Sequence, residues 1–581
     1  MEGGNIMTQM KASQALAQVL EAWDIKRVYG IPADTVIDGF YQERDKIEYI
    51  QVRHEEVGSL AAVATAKATG KIGVMCGSVG PGALHLLYGL YDAKMDHVPV
   101  LAIVGQSETK AINTAYLQEM DEDAWFTDFS DFHKQITTAE QIPAIVDAAI
   151  RYAYDHKGPA IIIMPDDLPA QTIEFEPIKT KPIHQVAVTS QIEEADVQET
   201  LQRIRSAKHP LLLVGQGMVG KRDIIQAFSE KFKIPVVTSA PAIKAVSTTF
   251  ENNLGSMGRI GTKPAFEAGQ LADLLIMVGT NYPFARFLPK NQTVIQIDTR
   301  LSALGRQVQA DQAVVADGGQ YLQAVYDAGN LVPFNDWLKA NRTNRQNWQH
   351  YLTSRVTQAG PLTPEAVINT IKQHAEKDAY FALDVGNNVT WASRQLPFDA
   401  NQDMSMSSWI GTMGYGLGAG LAVKLEMPER QVFSIMGDGG FTMVSQDLLT
   451  QVQYQTPVIT VIMKNSAFGF ISHEESSRGQ ADYGVQFVGA NWAGVAENMG
   501  AHGFQAGTQA ELDQVFEQVR QLQQEGNHQP IVIEATIKNE DPVDTSFMPL
   551  DSNQFDTKTI KDFREKYGIS EQEQPALSTL L

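Results

Sequence analysis

The run Met436-Gly437-Asp438-Gly439-Gly440-Phe441, followed further on by Lys464-Asn465, holds the residues best placed to do chemistry. A carboxylate and an amide oxygen are the hard donors that Mg²⁺ accepts when it keeps waters and a substrate diphosphate in its octahedron. The apolar run Val432 to Met436 precedes the Asp, a helix-patterned stretch follows, and a second apolar run, Pro457 to Met463, ends in Lys464-Asn465. Two such runs joined by a helix of this length predict one βαβ unit with parallel neighbouring strands. Asp438 and Asn465 then stand at the carboxyl ends of adjacent strands, where open α/β sheets bind ligands. The glycines Gly437, Gly439 and Gly440 allow backbone N–H groups and the start of the next helix to face phosphates. An isolated Gly-Asp-Gly turn carries little information; its position between these two apolar runs makes it specific.

This arrangement resembles the diphosphate-binding motif of thiamine diphosphate enzymes. The resemblance implies that Asp438, the Asn465 side chain and the Ala467 carbonyl hold Mg²⁺. A similar pattern occurs near the N-terminus. Ile72 to Cys76 leads into Gly77-Ser78-Val79-Gly80-Pro81-Gly82, a helical stretch, and then Pro99 to Gln106. The spacing from turn to second strand is nearly the same in both copies, as expected of a duplicated unit. The first copy lacks the Asp and the Asn, so two related α/β domains with different tasks are expected, as in thiamine diphosphate enzymes.

Between them, Pro210 to Val214 and Gly215-Gln216-Gly217 begin a third strand–turn–helix series. Further strands are expected at Val236 to Thr238, Leu274 to Val278 and Val294 to Ile297. The fold expectation is therefore α/β, with three doubly wound parallel-sheet domains. These comprise a pyrimidine-binding domain over 1–185, an FAD-binding domain over 190–340 and a diphosphate-binding domain over 360–545, with a tail over 546–581. Boundaries are placed in the polar stretches Lys179 to Glu194 and Trp337 to Pro361. A short helical pattern at Thr559 to Tyr567 marks the tail.

Arg53-His54-Glu55-Glu56 follows a strand-like Tyr49 to Val52. Acids placed there serve equally as first-turn charges complementing a helix dipole. By the resemblance, Glu55 is instead the residue that shares a proton with the aminopyrimidine of the cofactor. Met413, before the small-residue run Gly416 to Gly420, matches the apolar prop under the bent cofactor, although an ordinary core methionine fits the sequence as well.

End to end, the chain is similar to the pyruvate oxidases. The matching segments include Tyr29-Gly30-Ile31-Pro32, Gln118-Glu119-Met120, Asn281-Tyr282-Pro283-Phe284 and Pro428 to Val432. The resemblance implies decarboxylation of pyruvate on thiamine diphosphate, oxidation by FAD, and transfer of electrons to oxygen with release of peroxide. The acetyl group leaves to phosphate or to water. Glu474, Gln118 and His85 match site positions, with a partly buried structural histidine as the other reading of His85. His54 reads as structural. FAD contacts are expected from Gly215, Gly217, Ser256, Arg259, Asn281, Asp298 and Asp317, although Arg259 reads equally as a surface arginine. Thr299-Arg300 stands where the family has an acid and a proline. Leu117 stands where it has Phe. Ala33-Asp34-Thr35 replaces the Gly-Gly-Ser of phosphate-dependent relatives, and a carboxylate there would repel phosphate.

A formal charge of −22 excludes nucleic acid and anionic membranes as natural partners. With 43% apolar and 20% charged residues, the composition is that of a globular enzyme. Cys76 is the only cysteine, so a reducing, cytoplasmic compartment is expected and Cys76 reads as a small buried hydrophobe. No apolar stretch reaches membrane-spanning length. The resemblance further implies a homotetramer, a dimer of dimers. Rival readings are an acetolactate synthase-type carboligase and a cofactor-binding scaffold without turnover.

Overall fold

The computed structural model describes residues 8–32, 34–177, 190–285, 288–289, 291–356 and 359–581. Ala33 and most of the boundary stretch 179–194 lie outside them. Among the described residues are three six-stranded, all-parallel sheets and one two-stranded ribbon, Thr8–Lys11 with Thr172–Phe175.

The first sheet runs Glu48–Gln51, Arg27–Gly30, Gly73–Gly77, Val100–Gln106, Pro159–Pro165, His133–Gln135. The third runs Asp403–Met406, Tyr380–Leu383, Val432–Gly437, Ile459–Lys464, Ile531–Thr536, His502–Ala506. Counted by chain order within each sheet, both follow 2-1-3-4-6-5. The two βαβ units compared in the sequence occupy the same third and fourth places in their sheets. The middle sheet is different: Asn253–Ser256, Val236–Thr238, Pro210–Val214, Leu274–Val278, Thr293–Asp298, Gln312–Val315, the 3-2-1-4-5-6 order of dinucleotide-binding folds. Central strands such as Pro210–Val214 and Leu274–Val278 are buried along their whole length, as expected where helices cover both faces.

The polar stretch 337–361 holds a helix, Asp336–Ser354. Its polar composition conceals one apolar face, on which Trp337, Leu338, Trp348 and Leu352 are buried. Asn335 caps it by accepting the Leu338 N–H at 2.9 Å. The tail carries a helix over Thr557–Tyr567, capped by Asp556. Cys76 is buried, and burial pushes its thiol up to about 12.

The outer domains meet through two helices, Glu55–Thr69 and Tyr415–Glu426, which share one apolar cluster that includes Leu60, Ala61, Tyr415 and Ala419. Their contact is close because Gly418 lacks a side chain; a Cβ there would stand 3.0 Å from the Val57 carbonyl oxygen.

Candidate active site

In a sheet of order 2-1-3, the loops after strands 1 and 3 leave in opposite directions and open a crevice. In the third sheet these strands are Tyr380–Leu383 and Val432–Gly437. Asp438 opens the helix that follows the second of them, and its carboxylate is 1% exposed. Asp438 Oδ2 accepts the Ser466 N–H at 2.8 Å, and Asn465 Oδ1 accepts the Ala467 N–H at 3.2 Å. Ser466 takes a left-handed φ of 55°, which turns the chain so that Asn465 and Ala467 face the same crevice. Burial raises the Asp438 pKa. Asp438, Asn465 and Ala467 are therefore brought together.

Gly437, Gly439 and Gly440 line the crevice with Met413. A Cβ on Gly439 would meet the Phe468 ring at 2.9 Å and Met413 Cε at 3.5 Å, so Met413 stands beside the diphosphate turn. A Cβ on Gly440 would meet Asp384 Oδ2 at 2.0 Å. Gly440 is thus small because of a buried neighbour, whose carboxyl burial pushes up to about 7. Asn387 was not anticipated. It starts the helix after strand 1, lines the crevice, and its buried Oδ1 has no hydrogen-bond partner among the described residues. The available signal was the Asp384-Val385-Gly386-Asn387 turn directly after an apolar run.

The crevice continues into the middle domain as one cavity of about 1580 Å³. Gly217, Arg259, Asn281, Asp298 and Asp317 line it. Asp298 ends its strand and accepts the Arg300 N–H at 2.9 Å. Arg300 reaches His97 of the first domain, Nη1 to Nε2 at 2.7 Å. Burial and this guanidinium push the His97 imidazole down to about 4. Asp317 caps the helix Gly318–Ala328 and pairs with Lys221. Two expected contacts fall outside the cavity. Gly215 does not line it; a Cβ there would strike the Gly279 carbonyl oxygen at 2.2 Å, so its smallness serves the packing of two turns. Ser256 is buried in its strand and also stays off the cavity wall. Arg259 is no surface arginine: it pairs with Glu474 of the third domain, and its Cζ lies 4.6 Å from the Phe470 ring centroid.

The first domain's residues form a separate cluster. Glu55 is 5% exposed and meets His85 Nδ1 through Oε2 at 2.8 Å. His54 caps the helix by accepting the Glu56 N–H and stacks on His85 at 4.2 Å between centroids. Gln118, at a left-handed φ of 62°, presents its carbonyl to Gly80; a Cβ on Gly80 would come within 2.8 Å of it. Leu117 beside it is exposed. Behind this turn lie Asp34 and Glu122. Glu122 accepts the Gly80 N–H at 3.3 Å, and burial pushes its carboxyl up to about 8. Asp34 is pushed up to about 6, by burial first and by Asp166 second. Neither Glu55, His85 nor Gln118 lines the large cavity.

Known proteins share this arrangement. Residues 10–125, 197–325 and 384–535 match the N-terminal TPP binding, central, and C-terminal TPP binding domains of the thiamine pyrophosphate enzymes. The chain is 38% identical to a pyruvate oxidase of Lactiplantibacillus plantarum over 99% of its own length and 96% of the relative's. The chain belongs to the pyruvate oxidase-like thiamine pyrophosphate enzymes. It is also 37% identical to YdaP, a putative thiamine pyrophosphate-containing protein of Bacillus subtilis, over 99% of both chains. An acetolactate synthase isozyme 3 large subunit of Escherichia coli is 26% identical, over 92% of this chain and 96% of that one.

The equal strand orders of the outer domains place the Asp438 turn and the Glu55–His85 pair on two frameworks of one topology. Among the described residues no helix is long and apolar enough to cross a membrane.

Proposed function

We propose that this enzyme oxidatively decarboxylates pyruvate or a similar small 2-keto acid, using thiamine diphosphate, Mg²⁺ and FAD, and delivers two electrons to oxygen as hydrogen peroxide. The observation that carries this reading is the single cavity connecting the Asp438–Asn465 crevice with the switch point of a dinucleotide-type sheet. A carboligase of the acetolactate synthase type has the same architecture and also binds FAD, so the cavity supports the pair of cofactors and the oxidase is chosen on kinship. That kinship with a pyruvate oxidase extends over nearly the whole chain.

The residues present fit the groups. Asp438, the Asn465 amide and the Ala467 carbonyl are the oxygen donors Mg²⁺ takes. Asn387 offers a buried, unpartnered amide oxygen beside them. Gly217 exposes backbone where a diphosphate would approach, Asp298 suits a ribose hydroxyl, and Arg259 suits a phosphate or a flavin carbonyl. When bound, thiamine diphosphate would supply a nucleophilic carbon that adds to the keto carbonyl and an electron sink for the pair left as the carboxylate departs as CO2, and FAD would supply the two-electron acceptor. The chain's own work is positional and protonic. Met413, beside Gly439, would prop the bent cofactor. Glu474, held by Arg259, faces the substrate between the two cofactor positions. Glu55, its Oε2 engaged by His85 Nδ1, is the carboxyl that would share a proton with the cofactor's aminopyrimidine, and Gln118 and His85 would close the pyrimidine side.

The family resemblance implies a complete site that joins the first domain of one subunit to the third domain of another, and the place of the Glu55 cluster off the cavity wall supports that reading. The enzyme is therefore an obligate dimer, and dimers pair into a tetramer. Asp34 takes the space of an anion cradle beside Asp166, so water, not phosphate, accepts the acetyl group: pyruvate, O2 and H2O give acetate, CO2 and H2O2. The enzyme works in the cytoplasm. Oxygen uptake and peroxide release, measured with a panel of 2-keto acids with and without phosphate, test the reading. Acetolactate without oxygen uptake would replace it with the carboligase, and strong saturation by phosphate would reverse the choice of acceptor.

A further inference from the structure

One cation outside the reaction centre bonds groups of the first and third domains, and one of its carboxylate partners is bonded in turn to the middle domain. Lys67, on the helix Glu55–Thr69, is almost wholly buried. Its Nζ donates to Asp92 Oδ2 at 2.6 Å, to Asp96 Oδ2 at 2.7 Å and to the Met406 carbonyl at 2.9 Å. Asp92 and Asp96 lie one turn apart on Leu87–Asp96, so both carboxylates face the same side. Each uses its other oxygen to hold the third domain. Ser407 Oγ donates to Asp92 Oδ1 at 2.5 Å, and Ser408 Oγ donates to Asp96 Oδ1 at 2.6 Å. Ser407 Oγ in turn accepts the Thr412 N–H at 3.0 Å, closing the loop that ends at Met413. The Asp96 carbonyl accepts Gln216 Nε2 of the middle domain at 3.3 Å. Met406, Ser407, Ser408, Gln216 and Met413 all line the cavity.

We infer that Lys67, Asp92 and Asp96 are positioning residues that fix the segment 406–413, and with it Met413, against the Gly215–Gly217 turn, thereby setting the distance between the two cofactor positions. The inference rests on the proposed function for its catalytic meaning, but not for its structural content. A buried carboxylate pair without its cation is strongly unfavourable, which is why a lysine bonded to both is retained at the junction. The serine hydroxyls then convert that fixed charge into a fixed loop.

The test uses the full chain with both cofactors and three variants: Lys67→Met, Lys67→Arg, and the double variant Ser407→Ala/Ser408→Ala. The double variant cuts the loop free and leaves the ionic cluster intact. Amide exchange over 404–415 should accelerate about ten-fold in Lys67→Met and in the double variant, while the sheets stay protected. In the same two proteins kcat should fall about ten-fold with KM for the keto acid within about two-fold, and Lys67→Arg should restore part of the loss. If Lys67→Met does not fold, the double variant alone decides. Unchanged exchange over 404–415 in the double variant, or a rise in KM with kcat preserved, overturns the inference. A wild-type protein that binds neither cofactor sinks the proposed function instead, and leaves the exchange result to judge the loop.

Discussion

Arg259 of the middle domain and Glu474 of the third are ion-paired inside the cavity, with the Arg259 guanidinium over the Phe470 ring. No other ion pair spans the space between the two switch points among the described residues. Glu474→Gln keeps the shape and removes the charge. The variant should retain FAD by absorbance while kcat falls about 100-fold, the scale of a lost acid–base or electrostatic contribution. Undiminished turnover would reduce the pair to a strut between domains.

Asp438 is the carboxylate of the proposed Mg²⁺ site, and its oxygens accept the Ser466 and Gly439 N–H groups. A ligand that binds only the folded chain stabilises it by about 2.7 kcal/mol at a hundred-fold excess over Kd. Thiamine diphosphate with Mg²⁺ should therefore raise the unfolding temperature of the wild type, and EDTA should cancel the rise. Asp438→Asn should show no rise under either condition. A full rise in that variant would place the metal elsewhere.

Glu122 lies 1% exposed behind the Gly80 turn, with one carboxyl oxygen lacking a partner, and its folded pKa is raised to about 8 from an ordinary 4.5. Between those values the folded chain binds more protons at this site than the unfolded chain. Stability from Glu122 is thus fully present below about pH 4.5 and is lost as pH rises through about 8. The effect is on the order of a few kcal/mol at most. Urea unfolding between pH 6 and 9 should show the wild type weakening with pH and Glu122→Gln weakening less. Parallel curves would mean that the carboxyl is ionised throughout.

Local sequence signals located the third domain's crevice because one βαβ unit carries both Asp438 and Asn465, at the carboxyl ends of its two neighbouring strands. The same logic placed the strands Leu274–Val278 and Thr293–Asp298. It could not separate the two uses of a glycine: Gly217 faces the cavity, while Gly215 is small because Gly279 approaches it. It could not see Asn387, which comes from a different strand of the same sheet. Nor could it find the Lys67 cluster, where Lys67 and Asp92 meet through two helices of the first domain and Ser407 joins them only where the outer domains pack together. His54 reads from the sequence only as structural; its cap on one helix and its stacking on His85 from another come from the fold.

Glu55 and Asp438 both belong to the proposed chemistry, yet Glu55 does not line the cavity that Asp438 lines. If each complete site takes Glu55 from one subunit and Asp438 from another, two inactive variants should rescue each other. Glu55→Gln and Asp438→Asn, each at least about 100-fold down alone, are to be unfolded, mixed in equal amounts and reassembled with both cofactors. In a mixed dimer one site receives both substitutions and the other receives neither. Random pairing makes half of the dimers mixed, so about a quarter of wild-type activity should return. Sites built within single subunits would give no recovery at any mixing ratio, because every site would then carry one substitution.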